Sequence, residues 1–163
     1  MKFCLLLLAA ALPAGAQQDA YTSLRLYDGG WTVTMHDAAS GNTHTDTLVN
    51  ACSLAGHYFV CQQTVNGKVS ALVVFIPAST GGHYAVQNVL PDGSATGRSD
   101  LEIAGSQWIY SSQNEENGKT TWYRTTNDFR GNDRIHFESA RSGDGKTWTV
   151  TISGDETRGA PAK

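Results

Sequence analysis

Turn signals punctuate this chain at short, near-regular intervals, and little between them has the period of a helix. They fall at Ala39-Ser40-Gly41-Asn42, Asn66-Gly67, Pro91-Asp92-Gly93, Gly105-Ser106, Glu116-Asn117-Gly118, Arg130-Gly131-Asn132 and Gly143-Asp144-Gly145. Asn-Gly and Asp-Gly are hairpin signals because both residues tolerate positive φ. The stretches between them are rich in Thr, Val, Ser, Tyr and Trp. They predict strands near Trp31–His36, Thr43–Leu54, Tyr58–Val65, Val69–Ile76, Tyr84–Leu90, Ala95–Ile103, Gln107–Ser112, Thr120–Thr126, Arg134–Arg141 and Thr147–Ser153.

Alternation is clearest late in the chain. Ile135 and Phe137 share one face of their strand, and Arg134, His136 and Glu138 share the other. Trp148, Val150 and Ile152 likewise oppose Thr147, Thr149 and Thr151. One greasy and one polar face is the mark of a half-solvated antiparallel sheet. Val69–Ile76 is apolar on both faces, so a cover is expected there, with the segment around Tyr21–Tyr27 as the candidate. Hairpin-linked strands leave exposed edges unless the sheet closes. The expected fold is therefore all-β: an antiparallel up-and-down meander of about ten strands closed into a barrel, with a β-sandwich as the alternative.

The first residues read differently. Lys2, the apolar run Cys4–Leu12, the breaker Pro13 and the small-x-small exit Ala14-Gly15-Ala16 make a secretory signal peptide over residues 1–16. The apolar run is shorter than the roughly 20 residues of a membrane-spanning helix. The expected product is secreted or periplasmic, with one barrel domain over residues 17–158 and a frayed tail at 159–163. The 163-residue chain has a net charge of −3 and no basic stripe. That argues against nucleic acid as a partner, and no amphipathic basic helix suggests membrane docking.

Removal of the signal peptide takes Cys4 and leaves Cys52 and Cys61, an even pair in an exported chain. If Gly56-His57 is a two-residue loop, residue 55 faces 58 and Cys52 faces Cys61 at a non-hydrogen-bonded site, with Cα atoms about 4.5 Å apart. A four-residue loop keeps the partners and swaps the pair type. A structural clip is expected. A redox pair would want Cys-x-x-Cys at a helix N-terminus, and neither is present.

Gly29-Gly30-Trp31-Thr32-Val33 opens the first strand, and this Gly-x-Trp is similar to the opening of lipocalins and other calycin barrels. The resemblance implies that Trp31 closes one end of the barrel beneath an arginine from the last strand, for which Arg158 is the candidate. A second resemblance covers most of the mature chain. It is carried by Ala55-Gly56-His57-Tyr58, Gly82-His83-Tyr84, Asp92-Gly93, Tyr123-Arg124, Asp133-Arg134-Ile135-His136-Phe137-Glu138 and Ser142-Gly143-Asp144-Gly145-Lys146-Thr147-Trp148. In that order they resemble an uncharacterised bacterial secreted family with a lipocalin-like barrel. These are turn and core residues, so the resemblance implies a fold and supplies no catalytic residues.

The five histidines, His36, His44, His57, His83 and His136, show no compact ligand spacing. Related ten-stranded barrels bind haem through a histidine, yet no metal or cofactor is expected here. Gly-x-Ser-x-Gly, Walker and dinucleotide motifs are absent. Aromatic residues fall in mid-strand: Tyr84, Trp108, Tyr110 and Trp122, with Arg124 on the same face as Trp122. Inside a barrel, these five would line a site for a small apolar or amphipathic molecule bearing a carboxylate, or the rings would simply fill the core. The leading expectation is a binding module for a small, partly apolar ligand. The alternatives are an enzyme using His136, Glu138 and Arg134 or His83 at the barrel mouth, or a structural protein of the cell envelope.

Overall fold

The computed structural model describes residues 20–159; the segment expected to be a signal peptide, with Cys4, and the last four residues lie outside them. Ten antiparallel strands follow one another: β1 (Gly29–Asp37), β2 (Thr43–Ala55), β3 (Tyr58–Val65), β4 (Lys68–Pro77), β5 (His83–Val89), β6 (Ser99–Ala104), β7 (Gln107–Glu116), β8 (Lys119–Arg130), β9 (Arg134–Ser142) and β10 (Thr149–Arg158). Each pairs with its neighbours in sequence, and β10 returns to β1 from Trp31 opposite Arg158 to Asp37 opposite Ile152. The sheet is a closed barrel without free edges, so the sandwich is set aside.

Local chemistry sets the register. Asn66-Gly67 and Asn117-Gly118 form two-residue turns in which both residues have positive φ, 50° and 76° in the first, 52° and 71° in the second. That is the hairpin turn whose twist matches the flanking strands. Gly56-His57 is also a two-residue loop, with Ala55 facing Tyr58, so Cys52 faces Cys61 and the two form a disulfide across a Cα separation of 4.0 Å. A disulfide in a β-barrel fits an oxidising compartment, extracellular or periplasmic. Among the described residues no helix is long and apolar enough to cross a membrane.

The interior is filled at one end and open at the other. The core gathers Trp31, Leu48, Phe59, Phe75, Leu101, Trp108, Phe129 and Ile135, all buried. The 3-10 turn Ser23–Tyr27 and the residues before it enter that end as a plug. Tyr21 stacks on Phe59 with ring centroids 6.0 Å apart, and its hydroxyl donates to the His57 carbonyl at 2.6 Å. The Tyr84 hydroxyl donates to the carbonyl of Ala20. The expectation that this segment covers the outer face of β4 is corrected. Tyr21 and Leu24 join the core, while Val69 and Leu72 stay 52% and 40% exposed around a shallow apolar depression.

Arg158 packs at the plugged end. Its guanidinium carbon lies 4.2 Å from the Trp31 ring centroid, and it donates to the carbonyls of Leu26, Asp28 and Asn132 at 2.6–2.7 Å. Gly29 has φ +107°, and a Cβ there would meet Nη1 of Arg158 at 3.0 Å. The glycine of Gly-x-Trp is thus required by backbone conformation and by the close approach of the arginine.

β7 and β8 run four residues beyond their expected ends, to Glu116 and Arg130, and β6 and β10 differ more consequentially. The run from Ala95 enters the ladder only at Ser99. Before that, Ala95 makes an isolated bridge to Val89, and the Gln87 side chain donates to the Thr96 carbonyl at 2.5 Å. The last strand runs past Ser153 to Arg158, so Arg158 belongs to it. A bulge between Val150 and Ile152 breaks the expected common face. Val150 is therefore exposed, and Ile152 packs against the core.

Candidate ligand-binding cavity

Above the plug a cavity of about 430 Å³ opens toward the unplugged end. Strand alternation selects its walls: Val33 and Met35 from β1, Val73 and Phe75 from β4, Tyr110 and Ser112 from β7, Tyr123, Thr125 and Asn127 from β8, Phe137 and Ser139 from β9. The volume lies within the usual range of small-molecule sites, and the lining mixes apolar side chains with a few polar ones. Cys61 contributes its side of the disulfide to the same wall.

The five sequence-predicted residues separate. Tyr110 lines the cavity. Tyr84 and Trp108 are buried in the core beneath it, Trp108 packing on Phe129 at 4.6 Å and on Tyr27 at 6.1 Å between centroids. Trp122 stands on the face opposite the cavity-lining Tyr123 and Thr125, where Gly145 of the β9–β10 turn lies against its ring. Arg124 borders the cavity, but its guanidinium lies over the Trp148 ring, 4.3 Å from the centroid. The structure therefore does not gather Trp122 with Tyr110.

The polar chemistry of the cavity comes from residues outside that set. Glu156 of β10 lines it and is 6% exposed. It faces Val33 on β1 and Ile135 on β9, neither of which supplies a countercharge. Burial pushes its carboxyl up to about 7, against a hydrogen bond with Tyr27 that lowers it. Burial likewise raises the hydroxyls of Tyr27 and Tyr110 above their ordinary value. Within the described chain Oε2 of Glu156 and Oδ1 of Asn50 have no hydrogen-bond partner. Asn50 points its Nδ2 to the Tyr27 carbonyl at 3.2 Å, and that carbonyl also accepts from Trp31 Nε1 at 3.1 Å.

The signal for Glu156 was present in the sequence. Trp31 faces inward, Arg158 sits opposite it, and stepping back two residues on β10 brings Glu156 to the same face. The expected last strand stops at Ser153, short of Glu156, and so misses this. Gly154 serves packing: a Cβ there would meet the Thr34 carbonyl oxygen at 2.1 Å and the Phe137 ring at 2.8 Å.

Histidine chemistry lies outside the cavity. His36, His44, His57 and His83 are exposed. His136 occupies the outer wall, with Nδ1 3.0 Å from Asp155 Oδ1 and Nε2 3.9 Å from Glu138 Oε1, and Arg134 lines the same shallow depression. His83, on β5, does not join them. Among the described residues no group of three or more His, Cys, Asp or Glu side chains is placed to hold a metal ion.

No protein-family model and no curated protein matches this chain. Among solved structures, the chain is similar to the crystal structure of Rv2717c from M. tuberculosis, with 10% sequence identity and a TM-score of 0.52. The likeness covers 86% of this chain and 98% of that one. At that identity it shows a shared fold and nothing about ligand or activity.

Proposed function

We propose that this chain is an exported, lipocalin-like binding protein that holds a small, partly apolar ligand in its barrel. The carrying observation is the cavity of about 430 Å³, closed below by Tyr21 and Leu24 and walled by alternating inward side chains of the barrel. A barrel of this size that served only as a scaffold would fill its interior with its own side chains. The Cys52–Cys61 bridge and the signal-peptide pattern of residues 1–16 support an oxidising, exported setting. The resemblance of Gly29-Gly30-Trp31 to calycin barrels supports the same reading, and the guanidinium of Arg158 over the Trp31 ring is consistent with the closure it implies.

Fluorescence titration with N-phenylnaphthylamine, which brightens in apolar sites, tests the proposal. Saturable enhancement at one probe per chain is expected. Ser112→Trp, which places a large ring in the cavity wall, should abolish it. Equal enhancement in wild type and variant would locate the probe on the outer face around Val69 and Leu72 and overturn the reading.

A further inference from the structure

The cavity wall includes a buried acid whose second oxygen is unanswered. Glu156 is its one carboxylate among the described lining residues, and Oε2 has no partner within the described chain. The nearby amide of Asn50 is also incompletely bonded. Its Nδ2 donates to the Tyr27 carbonyl, and its Oδ1 has no partner within the described chain.

No charge from the surrounding elements answers Glu156. Tyr27 from the plug and Tyr110 from β7 face it as neutral phenols, Tyr27 through a side-chain hydrogen bond. Arg158, further along β10, donates to three main-chain carbonyls. Arg124, the one basic residue on the cavity's border, rests on Trp148. Val33 and Ile135, opposite Glu156 on the flanking strands, are apolar. A buried carboxylate in such surroundings is costly until a donor, and best a cationic one, reaches it.

We infer that the cavity's ligand carries a basic amine, seated with its ammonium against Oε2 of Glu156 and its apolar body along Val73, Val86 and Phe137. This rests on the binding reading above and reverses the charge expected from Arg124: the ligand is a cation rather than a carboxylate. The phenol rings of Tyr27 and Tyr110 beside Glu156 suit a cation as well.

Calorimetric titration of the full mature protein with octylamine, octanol and octanoate separates head-group from tail. At about pH 8, above the value of about 7 at which Glu156 takes its proton, octylamine should bind roughly tenfold or more tighter than octanol, and octanoate more weakly still. In Glu156→Gln the amine preference should collapse. In the wild type it should also shrink as pH falls below about 7, a readout that needs no variant. If octanol or octanoate matches octylamine, or the preference survives in Glu156→Gln, the amine is overturned and the binding reading stands. If none of the three binds saturably, both fall.

Discussion

Replacing Glu156 with glutamine should make the protein more stable, by an amount that depends on pH in a defined way. The carboxyl titrates at about 7 in the folded chain against an ordinary value of 4.5. The folded state therefore holds this proton more tightly than the unfolded state. Between those two values the folded chain binds more protons, so unfolding free energy falls as pH rises, by about 1.4 kcal/mol per pH unit. The cost is absent below 4.5 and fully present above about 7, where it amounts to about 3 kcal/mol. Glutamine keeps the shape and carries no proton to lose. Urea unfolding followed by tryptophan fluorescence, run on both proteins across this range, isolates the residue because the difference cancels every other group. The stability difference should open from near zero at about pH 4.5 to about 3 kcal/mol in favour of the variant above pH 7. Parallel curves with a constant offset would refute the claim that Glu156 is a buried, uncompensated acid.

Substitutions at Arg158, at the disulfide and at Gly154 probe the frame. Arg158→Ala removes the cation over Trp31 and its donors to three carbonyls, and should cost about 2–3 kcal/mol by the same denaturation assay. Lys at that position should recover less than half, because it lacks the planar fork. Opening the disulfide by Cys52→Ala with Cys61→Ala should cost about 2–3 kcal/mol for a sequence separation of 9. Thiol titration of the unfolded, unreduced mature protein should find no free cysteine. Gly154→Ala should cost about 3 kcal/mol or more, because the new Cβ meets the backbone carbonyl of Thr34 at 2.1 Å as well as the Phe137 ring. Destabilisation below about 1 kcal/mol in chemical unfolding would show that β1 can retreat.

The barrel was legible because hairpin turns fix register. With Gly56-His57 as a two-residue loop, pairing Cys52 with Cys61 follows by counting, and Asn66-Gly67 and Asn117-Gly118 act in the same manner. Where backbone irregularity intervenes, parity is lost. The greasy set Trp148, Val150 and Ile152 divides between the two faces because a bulge interrupts it, which alternation alone cannot reveal. Trp122 and Tyr123 are both aromatic, so the sequence does not say which faces inward; pairing with β7 and β9 places Tyr123 on the cavity. Glu156 was missed because the expected strand ends at Ser153, before Gly154, a glycine that close packing requires. Ala95–Arg98 joins no regular ladder: Ala95 makes only an isolated bridge to Val89, and Thr96 bonds back to the Gln87 side chain and the Asn88 carbonyl of β5.

The binding claim is tested most directly by native mass spectrometry of the mature protein taken gently from its own exported compartment. The expected spectrum shows the chain with one small molecule bound, a basic amphiphile, and that added mass should vanish in Ser112→Trp. A bare polypeptide mass that stays bare after incubation with octylamine and octanol would contradict the account.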